Sequence, residues 1–152
     1  MSPEEEAAFV RQWEEEVSQL YDFALSETGK GQGGLLVVSD ELAARYLVEV
    51  GVNVAGFKHL LDADGLRHIH KQHGGNTEAP RGQVTIVKQD VLDLRLVMTD
   101  PDILTPADTS RTGLTRIEAA KVISGHTLHY VLEVRTGRRR LAPVTLYKRR
   151  KQ

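Results

Sequence analysis

The sequence of 152 residues has no cysteine and no long apolar run. Because cysteine is absent, the chain forms no disulfide, no thiolate metal site and no cysteine nucleophile. No window approaches the roughly 18 consecutive apolar residues of a membrane-spanning helix, so no membrane partner is expected. Glu4, Glu5 and Glu6 stand where a secretory signal would carry lysine or arginine. These absences favour a cytoplasmic location.

The composition is that of a folded chain. Hydrophobic residues make up 40% of the sequence and charged residues 27%, which is too apolar for a disordered protein. A length of 152 residues favours one domain, with room for an appended helix.

The net charge of −1 conceals a gradient along the chain. Residues 1–26 carry one basic and seven acidic side chains, and residues 27–110 carry eight and twelve. Residues 111–152 carry eleven basic and two acidic side chains, a net charge of +9. This asymmetry indicates either a surface that faces a polyanion or a basic tail that only keeps the chain soluble.

The N-terminal segment has the pattern of an amphipathic helix over residues 3–25. Ser2-Pro3-Glu4-Glu5 combines a capping serine, a proline at the first helical position and a capping-box glutamate. Glycines at positions 29, 31, 33 and 34 then predict a flexible joint. The sequence therefore predicts two units: residues 1–34, an acidic helix with a glycine-rich linker, and residues 35–152, the main domain. The helix could serve as an arm that binds a partner.

Three further helices and a short strand are predicted before residue 100. A strand is expected at Leu35–Val38, followed by a helix that begins at Ser39 or Asp40 and ends at Gly51. A second helix, Leu66–His73, is capped by Asp62 or Asp64 and stops at Gly74-Gly75. A third, over residues 87–98, is capped by Thr85.

The C-terminal third changes to a period of two, which predicts strands. Its three runs are Thr115–Ile123, His126–Arg135 and Arg138–Lys148, separated by Ser124-Gly125 and Thr136-Gly137. Leu128, Tyr130, Leu132 and Val134 are expected to face the core. Leu141, Thr145 and Tyr147 are expected to share one face, although Pro143 implies an edge or a bulge that would shift the register. Helices followed by an antiparallel meander make an α+β fold.

Three histidines within six residues, His68, His70 and His73, first suggest a metal site. On a helix His68 and His73 lie about 140° apart, and only His70 and His73 are neighbours three positions apart. No H-E-x-x-H spacing is present and no thiolate completes a site. The sequence therefore predicts no metal and no other cofactor.

Acid–base chemistry suits these residues better. His68 and Lys71 share a helix face, and imidazoles transfer protons near neutral pH while a lysine stabilises charge on a phosphate. The alternative is structural: histidines at a helix C-terminus complement the helix dipole.

A family resemblance favours the chemical interpretation. His68-Ile69-x-Lys71-x-His73-Gly74 resembles the "HI-x-K-x-HG" signature of the phage-encoded nuclease-like domains grouped with barnase, EndoU, colicin-type and RelE ribonucleases. Asp90 and Asp100-Pro101-Asp102 are similar to its "eDi … nPD" middle. Residues 130–135, with Leu141 and Thr145-Leu146-Tyr147-Lys148, are similar to its ending "yvvEvr … l … T-x-YK". The resemblance runs from about residue 51 to residue 149.

The resemblance implies helices packed on a small antiparallel sheet, with an RNA site on the open face of the sheet. It also implies roles for individual residues. His68 and His73 would be the base and acid, Lys71 a phosphate contact, Thr145 a hydroxyl that steadies phosphate, and Tyr147 a stacking or hydrogen-bonding neighbour. The substrate-binding candidates are Arg81, Arg135, Lys148, Arg149 and Arg150. Arg138-Arg139-Arg140 could be no more than a charged strand edge.

The function that follows is a metal-independent endoribonuclease, a phage or prophage toxin that leaves a 2′,3′-cyclic phosphate. Its expected partners are RNA, with tRNA as one target, and an immunity or antitoxin protein. Delivery with a phage particle or by a non-classical secretion route is compatible with this role. Two alternatives remain: a nucleic-acid-binding module without catalysis, and a phage structural or accessory protein that binds a protein partner through the acidic helix.

Overall fold

The computed structural model describes residues 1–74 and 83–151. The helices in this part of the chain are α1 (Pro3–Ser26), α2 (Asp40–Val50), α3 (Ala63–His73), α4 (Lys88–Leu92) and α5 (Leu94–Thr99). The strands are β1 (Gln32–Val37), β2 (Lys58–Asp62), β3 (Ile103–Ala107), β4 (Arg116–Ile123), β5 (His126–Arg135) and β6 (Arg140–Arg150).

The strands form one sheet in the order β1-β2-β6-β5-β4-β3. Every neighbouring pair is antiparallel except β2 and β6, which are parallel and meet at only two pairs of residues. The α+β class and the β4-β5-β6 meander confirm the sequence prediction. The strand predicted at Leu35–Val38 corresponds to β1, but the prediction missed β2 and β3, so the sheet has six strands in the described residues where four had been expected.

The predicted boundaries of α1 and α2 are confirmed to within one residue, because their capping residues act locally. Helix α3 ends at His73 as predicted, but it begins at Ala63 and not at Leu66. The Ser2 hydroxyl accepts a hydrogen bond from the Glu5 backbone, and the Glu5 side chain accepts one in return. Ser39 begins α2, and Gly51 ends it in the left-handed conformation. Asp62 caps α3 through the Gly65 amide at 2.6 Å.

The predicted helix over residues 87–98 is wrong in two respects. It is two short helices, α4 and α5, with a break at Asp93. Thr85 is not the cap: Val87 occupies that position, and its amide donates to the Asp90 carboxylate at 2.8 Å. Asp90 thus takes over the task that had been assigned to Thr85.

A bulge in β6 corrects the predicted pattern of its faces. Leu132 of β5 pairs with Pro143, but the next residue, Val131, pairs with Thr145. The extra residue, Val144, reverses the alternation, so Leu141 lies in the core while Thr145 and Tyr147 lie on the opposite face. The expectation that Leu141 shares a face with Thr145 is therefore wrong, for the reason that Pro143 had indicated.

Helix α1 packs into the same core as the sheet. Trp13 and Val17 are 3% and 0% exposed and belong to one hydrophobic cluster with Leu61 of β2 and Leu66 of α3. Gly34 of β1 comes so close to α1 that an added Cβ would lie 2.8 Å from Val17. The division at residues 34 and 35 stays a prediction that truncation must test, but this packing favours α1 as part of one folding unit.

Helix α3 crosses β6 at very short range, and this contact positions the histidine segment. A Cβ at Gly65 would lie 2.6 Å from the Pro143 ring, so only glycine allows this approach. Ile69, on the inner face of α3, is fully buried. His68 is therefore held at the border between α3 and the sheet.

The buried His59 predicts a loss of stability in acid. It is 2% exposed, its Nε2 lies 2.7 Å from the Tyr130 hydroxyl, and burial lowers its pKa to about 3, with a further contribution from Arg140. Between about pH 6.5 and pH 3 the unfolded chain binds the extra proton, so falling pH destabilises the fold by about 1.4 kcal/mol per unit at most.

Urea unfolding across this pH range tests the effect. The free energy of unfolding of the His59→Gln variant is expected to fall less steeply in acid than that of the parental chain. The His70→Gln variant, changed on the surface of α3, is expected to show the parental pH dependence. Parallel profiles for the parental chain and His59→Gln would contradict the assignment.

Candidate active site

The open face is the side of β4, β5 and β6 that carries polar residues. Strand pairing sets these residues in rows: Arg116 lies opposite Glu133, and His129 opposite Tyr147. Between these rows Val131 lies opposite Thr145. Successive rows are about 7 Å apart, since residues on one face of a strand are two positions apart. The face therefore holds two polar clusters, one around Glu133 and one around Tyr147, and Glu118 of the second cluster lies in the row between them.

The first cluster surrounds a groove of about 360 Å³ between α3 and the sheet, termed the His68 groove. Glu133 is only 7% exposed there. Its carboxylate accepts a hydrogen bond from Arg116 at 3.2 Å and one from Arg135 at 3.3 Å. The groove is lined by Asp62, Asp64, Gly65, His68, Arg116, Glu133, Arg135, Pro143 and Val144. Three carboxylates, an imidazole and two guanidiniums thus line one cavity, an arrangement whose groups can transfer protons and stabilise an anion.

The second cluster is centred on Tyr147. Its hydroxyl donates to the Glu118 carboxylate at 2.6 Å, and its ring stacks on His129 with centroids 4.6 Å apart and planes 4° from parallel. The His73 ring lies 5.9 Å away, and Arg149 lies 5.7 Å from the Tyr147 centroid. Such stacked rings offer a platform for a nucleic-acid base.

Hydrogen bonds inside the Tyr147 cluster shift two pKa values in opposite directions. The hydrogen bond with His129, followed by that with Tyr147, lowers the pKa of Glu118. Burial, and then the hydrogen bond to Glu118, raises the pKa of Tyr147 well above its usual range. Tyr147 is consequently a neutral hydroxyl group at physiological pH, with its donor already engaged.

Thr145 lies between the two clusters. Its Oγ1 is buried and has no hydrogen-bond partner among residues 1–74 and 83–151. An unsatisfied buried hydroxyl is costly, so a ligand oxygen placed there would relieve the cost. The predicted role of Thr145 at a phosphate stays a prediction.

The structure separates the two histidines that the sequence analysis had paired. His68 is exposed at the groove, whereas His73 is buried beside Tyr147. Lys71 is exposed between them on α3. Glu133 lines the same groove as His68, as do Asp62 and Asp64.

Among the predicted substrate contacts, the structure places Arg135 in the His68 groove and leaves Arg149 and Arg150 exposed at the end of β6. Arg81 lies outside the described residues. Lys148 points to the other side of the sheet, where its ammonium group lies 2.8 Å from the Asp90 carboxylate and both side chains are buried. We therefore leave Lys148 out of the site.

The position of Lys148 predicts an effect on stability. Lys148→Met leaves Asp90 buried without its cation, and we expect a loss of about 3 kcal/mol in the free energy of unfolding. Arg149→Met, its exposed neighbour, is the matched control: it should change stability by less than about 0.5 kcal/mol and make nucleic-acid binding weaker and less salt-dependent. Urea denaturation measures the stability of each variant, and binding titrations measure its affinity for nucleic acid. Equal stability of the two variants would contradict the structural role of Lys148.

Two residues of the groove, Glu133 and Arg116, were not predicted as site residues. The sequence carries two signals for Glu133 and none for Arg116. Glu133 is a lone carboxylate in the apolar run Val131–Val134, and it occupies the glutamate of the "yvvEvr" pattern. The pairing of β4 with β5, which sets Arg116 opposite Glu133, required the strand register.

In the described part of the chain, no group of three or more histidine, aspartate or glutamate side chains is arranged to hold a metal ion. No helix described here is long and apolar enough to span a bilayer.

The open face combines proton-transfer groups with cationic side chains, as domains that cleave nucleic acids do. Residues 36–152 match the model of the family described as phage-Barnase-EndoU-ColicinE5/D-RelE like nuclease3. The chain belongs to this nuclease family, which confirms the resemblance seen in the sequence, and nucleic acid is the substrate class that the family implies. Comparisons with curated proteins and with solved structures gave no match.

Proposed function

We propose that the protein is a metal-independent endoribonuclease that cleaves RNA in the His68 groove. The observation that supports this most strongly is the convergence of Glu133, Arg116, Arg135 and His68 on one cavity. Acid–base cleavage needs a proton acceptor, a proton donor and cations around one phosphorus atom, and this cavity has all three.

The reaction begins at the ribose 2′-hydroxyl. The Glu133 carboxylate takes its proton, and the oxygen attacks the adjacent phosphorus. Arg116 and Arg135 neutralise the charge that develops on the non-bridging oxygens. Protonated His68 donates its proton to the leaving 5′-oxygen, whose bond to phosphorus breaks. The products are a 2′,3′-cyclic phosphate and a free 5′-hydroxyl. Glu133 then releases its proton to solvent and His68 takes one up from solvent, so both groups return to their starting states.

The Tyr147 cluster positions the neighbouring nucleotide. The stacked rings of Tyr147 and His129 offer an aromatic face to a base, and His73 supports Tyr147 from α3. The unpartnered Thr145 hydroxyl donates to a phosphate oxygen, and Lys71 and Arg149 attract the backbone. His73 thereby becomes a positioning residue, and its acid–base role passes to Glu133.

A toxin role follows from this activity. An endoribonuclease without restraint damages the RNA of any cell that holds it, tRNA included. We therefore propose that the protein acts as a phage or prophage toxin on cytoplasmic RNA, and that an immunity or antitoxin protein covers the open face in the cell that makes it.

Incubation with a tRNA pool and with total RNA, in the presence of EDTA, tests the activity. We expect RNA to be cut with EDTA present and single-stranded DNA to stay intact, since DNA lacks the attacking hydroxyl. Retention of RNA without any product would favour the non-catalytic binding module. A requirement for a divalent ion would contradict the mechanism, and neither binding nor cleavage would favour an accessory protein that acts through α1.

A further inference from the structure

A second, smaller cavity adjoins the His68 groove and has no role in the chemistry described above. This cavity, termed the Arg140 pocket, has a volume of about 230 Å³. Its charged lining residues are Lys30, Asp62, Asp64, Arg135, Arg138 and Arg140. Arg135 and both aspartates also line the His68 groove, so the two cavities are adjacent.

Both carboxylates of the pocket are already engaged. Asp62 accepts the Gly65 amide through Oδ1 and lies 3.2 Å from Arg140 through Oδ2. Asp64 is paired with Arg67 at 2.8 Å. Four cationic side chains and two carboxylates line the pocket, so the cations are in excess. Neither Lys30 nor Arg138 has a partner in the described part of the chain.

Arg140 is the buried element of this pocket. Its side chain is 9% exposed, yet its Nε has no hydrogen-bond partner in the described residues and its contact with Asp62 is a single one. Burial lowers the pKa of Arg140, as do the nearby Arg135 and Arg138, while Asp62 opposes the shift. A buried guanidinium with incomplete pairing is costly unless an anion completes its environment.

We infer that the Arg140 pocket binds the phosphate group next to the scissile phosphodiester. The inference rests on the proposed function, because Arg135 joins this pocket to the groove where Glu133 would act. Glu133 and Arg135 are two residues apart on β5, about 7 Å, a step that one nucleotide can bridge. Guanidiniums suit phosphate through their fork of donors. Helix α3 also begins at the pocket, so the positive end of its dipole faces the anion.

A phosphate site in the Arg140 pocket makes the binding of an RNA chain directional. A phosphate in the Arg140 pocket fixes one side of the cleaved bond, while the base platform at Tyr147 lies at the other end of the open face. A chain can occupy both only in one orientation, so the pocket should favour a flanking phosphate on one side of the scissile bond alone.

Non-cleavable dinucleotides test the inference without relying on catalysis. The probes carry a 2′-deoxyribose at the attacking position and have no terminal phosphate, a 5′-phosphate or a 3′-phosphate. Dissociation constants are measured by NMR titration at fixed ionic strength. In the parental chain we expect one of the two terminal phosphates to tighten binding about tenfold, the size of a charge-assisted hydrogen bond.

Exposed cations supply variants that should fold. Arg138→Gln and Lys30→Gln are each expected to remove most of the phosphate preference. Arg139→Gln is the matched control: this neighbour donates to the Ala55 carbonyl at 3.2 Å and does not line the pocket, so the preference should stay.

Three results would overturn the inference: no preference in the parental chain, a preference that survives Arg138→Gln, or a hexaglutamate peptide that binds as tightly and with the same dependence on Arg138. The last would identify a pocket for an acidic protein. Failure of the proposed function looks different, because RNA would stay intact in the cleavage assay while the phosphate preference persisted.

Discussion

Replacing Glu133 with glutamine is expected to lower the rate of RNA cleavage by about 10²–10⁴-fold and to leave RNA affinity nearly unchanged. The amide keeps the shape of the side chain, but its single oxygen accepts a hydrogen bond from only one of Arg116 and Arg135, and it does not take up the proton of the 2′-hydroxyl. The loss should therefore fall on turnover, measured under single-turnover conditions, with affinity followed by binding titration.

His68→Gln should lose a similar factor, because it removes the proton donor. The two losses are not expected to multiply, since base and acid act in one concerted unit. His70→Gln is the matched control on α3: His70 is exposed and does not line the groove, so turnover should be parental. Thermal unfolding verifies that each variant is folded. A folded Glu133→Gln/His68→Gln double variant that cleaves RNA at the parental rate would contradict the assignment.

Removal of residues 1–30 is expected to abolish cooperative folding of the rest of the chain. The deletion takes away Trp13, Val17, Leu20, Tyr21 and Ala24, all buried in the common core. It also removes part of the cluster to which Leu61 and Leu66 belong. Circular dichroism during thermal unfolding checks this. A truncated chain with a single sharp transition would show instead that α1 is a separate unit, as its glycine-rich joint had suggested.

A single substitution also tests whether α1 is part of the main core. Trp13→Ala is expected to lower the free energy of unfolding by about 3–5 kcal/mol, the usual cost of removing a large buried side chain. Phe9→Ala, one turn earlier on α1 and 40% exposed, should cost less than about 1 kcal/mol. Urea denaturation compares the two, and similar losses would show that Trp13 is not part of the main core.

The sequence predicted those parts of the fold that depend on local chemistry. The caps at Ser2, Ser39 and Asp62 act within three residues, and the β4-β5-β6 hairpins follow from a period of two. Strands β2 and β3 have five residues each and are defined by partners far along the chain. Their pairing, above all the parallel contact of β2 with β6, has no local signal.

The site was predicted in part, for the same reason. His68 stood out because it lies in a dense polar motif on one helix. Glu133 looked like an ordinary exposed residue of a strand until α3 closed over β6 at Gly65 and Pro143 and made a groove of that surface. Lys148 is the opposite case. The sequence predicted it as a substrate contact because it is a basic residue in a matching motif, but alternation along β6 turns it towards Asp90.

The chemical identity of the product ends tests the central claim most directly. A defined oligoribonucleotide is cleaved in EDTA, and the products are examined by ³¹P NMR. The account predicts the resonance of a 2′,3′-cyclic phosphate with a 5′-hydroxyl on the other fragment, and its loss in the Glu133→Gln variant. A 5′-phosphate on the product would contradict the account, because attack by the ribose 2′-oxygen cannot produce it.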